Sequence, residues 1–120
     1  MTAEREWAAD ACERCREWCE GKLESDFQLW RDLGTDSERY GEAEIYECVK
    51  CGQLWVRYFV EYESFRASGR WAIGKIDRDA AEKIQVDEVT AFLENLPEYI
   101  RGGSYFGGTV CKAVGPMPWG

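Results

Sequence analysis

Six cysteines and no histidine in 120 residues set the range of chemistry open to this chain. Four of the cysteines form two C-x-x-C pairs, Cys12-Glu13-Arg14-Cys15 and Cys48-Val49-Lys50-Cys51. Two thiols held two residues apart can grip one metal ion, and Gly52 supplies the positive φ that such a turn requires. Without histidine the chain cannot offer a Cys₂His₂ or histidine-based catalytic centre. The natural arrangement is a closed Cys₄ site around a structural Zn²⁺, with Cys12, Cys15, Cys48 and Cys51 as candidate ligands. The first pair falls within a predicted helix and lacks a following glycine, so Cys19 is an alternative ligand there. Cys111 reads as a core residue.

The same pairs have a second reading, thiol redox chemistry, in which Arg14 and Arg16 lower a neighbouring thiol pKa. A thioredoxin-type motif, however, sits between a strand and the start of a helix, and Cys12 to Cys15 lies well inside one. General acid–base work without histidine would rest on carboxylates such as Glu61 and Glu63. They lie two residues apart on one strand face, where exposed charge is the ordinary explanation. Gly102-Gly103-Ser104-Tyr105-Phe106-Gly107-Gly108 lacks the Gly-Lys-Ser/Thr ending of a phosphate loop. It reads as a flexible turn that displays Tyr105 and Phe106, which with Tyr99 and Trp119 make a candidate aromatic contact patch. The chain is expected to bind a partner and not to act as an enzyme.

Charge points to the partner's sign. Residues 1–47 carry 14 acidic and 6 basic side chains and residues 48–120 carry nine of each, so the formal −8 belongs to the first part. Such a surface repels nucleic acid and lipid headgroups and attracts basic proteins. Glu13, Glu17, Glu20, Glu24 and Asp26 are candidate contacts; the plainer alternative is a solvated helix face. No apolar run approaches the roughly 18 to 20 residues of a membrane helix. The charged first residues lead into no apolar core, so a cytoplasmic location with reduced cysteines is expected.

The elements that must position these residues follow from periodicity. Ala8, Cys12, Cys15, Cys19 and Leu23 are spaced 4-3-4-4, which stacks them on one face of a helix over 3–24. Residues 25–42 read as a packed connection with turn chemistry at Gly34-Thr35-Asp36-Ser37. A strand runs from Ala43 to Cys48. A long one over 53–65 sets Leu54, Val56, Tyr58, Val60 and Tyr62 against Trp55 and Phe59, and Trp71 to Ile76 returns after a turn at 67–70. Two helices follow, capped by Asp77 and Asp87, with Pro97 interrupting or ending the second, and 110–114 is a short final strand. The expected fold is α+β in a single domain over 1–120, comprising an acidic helical part (1–47), a hairpin (48–76) and a helical, glycine-rich end (77–120). Its sheet is three-stranded and antiparallel.

Cys12-x-x-Cys15 with Cys48-x-x-Cys51-Gly52 resembles the zinc-ribbon pattern, which implies that this sheet is built around the metal. The stretches Glu47-Cys48-Val49-Lys50-Cys51-Gly52-Gln53-Leu54-Trp55 and Gly102-Gly103-Ser104-Tyr105-Phe106 are similar to small bacterial proteins of the kind that act as immunity proteins beside polymorphic toxins. That resemblance implies a single-domain cytosolic inhibitor that neutralises a basic toxin by binding it. The acidic first third suits such a role, because a negative partner speeds encounter with a basic nuclease and blocks its nucleic-acid groove. Two alternatives come from other classes. One is a zinc-ribbon adaptor for a protein assembly or for nucleic acid, stacking bases on strand 54–65 with Arg57 and Arg66 at phosphate. The other is the thiol redox protein.

Overall fold

Residues 54–60 have apolar side chains on both faces of one strand, which requires cover on each side, and the sheet is built around them. The structure, a computed structural model, describes residues 27–37, 40–61, 68–108 and 110–117. Six strands form one antiparallel sheet in sequence order: β1 (Phe27–Thr35), β2 (Glu42–Cys48), β3 (Leu54–Val60), β4 (Arg70–Ile76), β5 (Tyr99–Gly102) and β6 (Cys111–Ala113). Between β4 and β5 lie two six-residue helices, α1 (Arg78–Lys83) and α2 (Val89–Glu94), joined through a 3₁₀ turn at Val86–Glu88.

This architecture corrects the expected α+β fold with its three-stranded sheet: the sheet has six strands and the described helices are short. The expected helix over 3–24 lies outside the described residues. β1 replaces the predicted connection. Two register shifts, between Leu29 and Arg31 and between Asp32 and Gly34, break the alternation by which a strand is recognised. β5 is only four residues long and follows Pro97, so it falls below the length at which a periodic pattern becomes visible. β3 ends at Val60, short of the expected residue 65.

Alternation divides the core in two. On one face Ala43, Ile45, Leu54, Val56, Tyr58, Val60, Ala72 and Ile76 meet Ala81, Ile84, Val89 and Leu93 from the helical layer, together with Tyr99 and Met117. On the other face Cys48, Trp55, Ile73 and Ile100 form a second cluster, edged by Phe27, Tyr46, Trp71 and Val110. Gly74 lets the helical layer close on β4. A Cβ there would stand 2.5 Å from Leu96 Cδ1 and 2.8 Å from Leu93 Cδ2.

Polar bonds then fix the helices in place. Asp77 caps α1 by accepting from the Ala80 amide at 2.8 Å. At the other end of α1, Arg31 Nη1 reaches across from β1 and donates to the carbonyls of Ala81 (2.7 Å) and Ile84 (3.0 Å). Asp87, expected to cap the second helix, instead accepts from the amide and hydroxyl of Ser37 at 3.1 and 3.2 Å. Gln85 and Glu88 form a capping box at that point. The chain after β6 is tied down as well: Tyr99 OH donates to Gly115 O at 2.7 Å and Met117 N to Glu94 Oε2 at 2.8 Å.

Gly74→Ala is expected to lower stability by about 1–3 kcal/mol, since Leu93 and Leu96 must move to admit the methyl group; urea melts check this. Tyr99 adds a pH signature. Burial raises its phenol above the ordinary value of 10.0, Glu94 raises it further, and Arg101 partly opposes both. The folded state therefore holds the proton more tightly, and this contribution is complete below pH 10 and lost as pH climbs through the folded value. Tyr99→Phe should cost about 1 kcal/mol at pH 8 through the lost hydrogen bond. It should also show a shallower fall in stability above pH 10 than the native chain.

Candidate functional site

The second C-x-x-C pair sits on the turn that joins β2 to β3. Gly52 N donates to Cys48 O at 2.7 Å and Cys48 N to Gln53 O at 3.0 Å, closing a tight loop over residues 49–51. Gly52 has φ +79°, the conformation that favours glycine. Cys48 is buried in the second core cluster, whereas Cys51 is exposed at the tip. Beside the tip opens a cleft of about 250 Å³ lined by Cys51, Gly52, Gln53, Leu54, Ile76, Asp77 and Arg78. Arg78 lies 3.4 Å from Glu47 and stacks over Trp30 at 5.5 Å.

The turn has the backbone form of a thiolate knuckle, but Cys48 lies in the apolar second cluster while Cys51 lines the cleft at the exposed tip. Among the described residues no three cysteine or acidic side chains converge as a metal site. The other proposed ligands, Cys12 and Cys15, and the alternative Cys19 lie outside the described residues. Phe27, the first residue of β1, pairs directly opposite Cys48. Cys111 is half-buried on β6, four strand positions across the sheet from Cys48.

The glycine-rich segment is a fitted corner and not a flexible turn. Ser104–Phe106 form a 3₁₀ turn whose Tyr105 amide donates to Gly69 O at 2.9 Å, while Gly69 N donates to Ser104 Oγ at 3.0 Å. Gly103 is required on two counts, since its φ is +116° and a Cβ there would lie 2.4 Å from Gly69 O. Tyr105 and Phe106 pack edge-to-face with centroids 5.0 Å apart. Each ring is faced by a guanidinium: Arg70 stands 4.0 Å from the Tyr105 centroid and Arg101 3.8 Å from that of Phe106. Tyr105 is exposed and Phe106 packs against the main core. Of the expected aromatic patch, Tyr99 is instead buried in the main core and Trp119 lies outside the described residues, so only Tyr105 and Phe106 are brought together, with cations that periodicity gives no reason to place there. A corner of this sign suits an acidic or neutral contact better than a basic one.

The predicted acidic contacts Glu13, Glu17, Glu20, Glu24 and Asp26 also lie outside the described residues. A further acidic surface is described, however, and a division of the chain at residue 47 hides it. Residues 77–98, the helical layer and its flanks, carry seven acidic and two basic side chains, a net of −5. The remainder of 48–120 carries two acidic and seven basic, so the even balance of that part conceals two opposite fields. Asp77 and Asp87 accept from neutral donors, which leaves their charge in place. Lys83 is engaged at 3.3 Å by Asp79, and Arg78 by Glu47. Counting charge by structural element would have found this surface; counting by halves cancels it.

Compared with known proteins, the chain matches no family model, no curated protein and no solved structure.

The expected Cys₄ site yields a direct prediction. Protein purified without chelator should carry one zinc per chain by native mass spectrometry. Cys48→Ser or Cys51→Ser should remove the metal together with cooperative folding, while Cys111→Ser should retain it. A native mass equal to that of the bare polypeptide would make Cys48 and Cys51 core and surface thiols.

Proposed function

We propose that the chain is a non-enzymatic acidic inhibitor, of the immunity-protein type, that neutralises a basic toxin by covering its surface. The observation that carries the reading is the charge of the helical layer and its flanks, where residues 77–98 hold a net of −5. Fields of this kind raise association rates with an oppositely charged protein by roughly 10- to 1,000-fold and disfavour partners of like charge. The acids Glu13, Glu17, Glu20, Glu24 and Asp26 would extend the same field, and Tyr105 with Phe106 would serve as a separate contact for a neutral or acidic part of the partner's surface. A structural Zn²⁺ on Cys12, Cys15, Cys48 and Cys51 is part of the proposal. Its role is to hold the first part of the chain to the β2–β3 turn, with no part in chemistry.

The reading supports binding over catalysis because the acids of the helical layer do structural work at the backbone while keeping their charge outward. Asp77 caps α1, Glu88 closes the capping box and Glu94 holds Met117. Such carboxylates can face a partner without rearranging, which lowers the ordering cost of association.

The test is association with the product of a neighbouring toxin gene, followed by stopped flow. The on-rate should fall at least about tenfold between 20 mM and 500 mM NaCl as the charges are screened. The double variant Asp79→Lys with Glu82→Lys should lower it further at low salt. An on-rate indifferent to both salt and charge reversal would sink the reading.

A further inference from the structure

The helical layer is more than a charged surface. Its two helices are only six residues long and are joined by the 3₁₀ turn, so they do not close against each other along their outer side. Between them lies a groove of about 380 Å³ lined by Ala80, Lys83, Ile84, Glu88, Ala91, Phe92 and Asn95. Ile84 is almost wholly buried and Phe92 half-buried, so the floor is apolar. The polar walls are already engaged. Lys83 binds Asp79 at 3.3 Å, Glu88 Oε1 accepts from Gln85 N at 2.8 Å, and Asn95 Nδ2 donates to Ala91 O at 2.7 Å. The apolar floor rewards a ligand that presents hydrocarbon, while the exposed carboxylates around it stay open to cations.

We propose that this groove seats one large apolar side chain of a basic protein, flanked on that protein by lysine or arginine. The inference rests on the acidic-inhibitor reading and names the part of the partner that the inhibitor grips. Size and charge together select the occupant. A volume of about 380 Å³ is near the lower end of the roughly 300–1,000 Å³ typical of ligand clefts, enough for one aromatic or two aliphatic side chains. The surrounding 77–98 segment, at net −5, favours cations beside that anchor. The same charge disfavours a second copy of this chain, because a two-fold interface would set −5 against −5. It disfavours nucleic acid for the same reason. An apolar anchor in a pocket with a charged rim is the arrangement in which a few residues dominate affinity.

The experiment uses the full chain and two hexapeptides of equal charge, Ac-Lys-Arg-Leu-Trp-Arg-Lys-NH₂ and Ac-Lys-Arg-Ser-Ser-Arg-Lys-NH₂. Titrations are followed by backbone amide shifts and by calorimetry. The Leu-Trp peptide should shift the amides of residues 80–95 and bind at least tenfold more tightly than the Ser-Ser peptide. Ala91→Gln, an exposed position on the groove wall, should weaken the Leu-Trp peptide at least fivefold and leave the Ser-Ser peptide unchanged. Glu82→Lys should weaken both. Equal affinities for the two peptides, amide shifts centred elsewhere, or indifference to Ala91→Gln would each overturn the groove and leave the acidic reading standing. Failure of both peptides to bind anywhere would overturn both. The amide map on the native chain decides the question even if Ala91→Gln does not fold.

Discussion

Strand β3 belongs to both cores at once. Leu54, Val56, Tyr58 and Val60 enter the cluster under the helices, while Trp55 is fully buried in the opposite cluster. Burying a large apolar side chain contributes about 1.5–3 kcal/mol, so these five residues supply on the order of 10 kcal/mol of gross stabilisation. That is comparable to the whole net stability of an ordinary domain. Its neighbours take their places from this strand: β2 and β4 pair with it on either side, and the helices pack over one of its faces. The glycine turn that holds Cys48 and Cys51 is the loop by which the chain enters β3, so its geometry is fixed by the best-anchored strand of the sheet.

The helical layer depends on that sheet for more than hydrophobic contact. Helices of six residues are too short to persist alone, because nucleation costs more than so few bonds return. Three polar locks compensate. Arg31 from β1 satisfies the last carbonyls of α1, Ser37 from the β1–β2 turn is held by Asp87, and Met117 after β6 is held by Glu94. The first and last strands thus converge on a layer inserted between β4 and β5. The acidic character of the layer follows in part from this duty, since carboxylates are good acceptors for the backbone amides at helix starts. A surface shaped by capping is at the same time a surface with a strong field.

Sequence reading succeeds in this chain where each side chain answers to one rule. The alternation through Leu54–Val60 and the return through Trp71–Ile76 satisfies the period of two, and Asp77 precedes α1 as an N-cap should. It fails where a second constraint intervenes. β1 carries Trp30 and Leu33 inward only by breaking register twice, and no periodicity survives that. β5 is specified by its pairing with β4 and β6 and by the buried ring of Tyr99, which are distant in sequence. Asp87 sits where a cap is expected and serves Ser37, fifty positions earlier, because Gln85 and Glu88 complete the turn without it. The rings of Tyr105 and Phe106 were visible in the sequence. Their guanidinium partners were not, because Arg70 and Arg101 lie on different strands. The acidity of the helical layer was hidden for an arithmetical reason, since the net −5 of residues 77–98 and the net +5 of the remainder of 48–120 sum to zero.

The register shifts of β1 have a bearing beyond the shape of that strand. Among the described strands β1 and β6 end the sheet. β6 is only three residues long, and β1 is nine residues long but bent at two places. A flat, unbroken nine-residue edge would present a continuous ladder of amides and carbonyls, the template on which foreign strands add and amyloid grows. Two bends divide that ladder into fragments of two or three residues, with Arg31 and Asp32 placed between them. A six-stranded sheet can in this way remain at high concentration without growing by strand addition at this edge, and its encounters are left to its side chains.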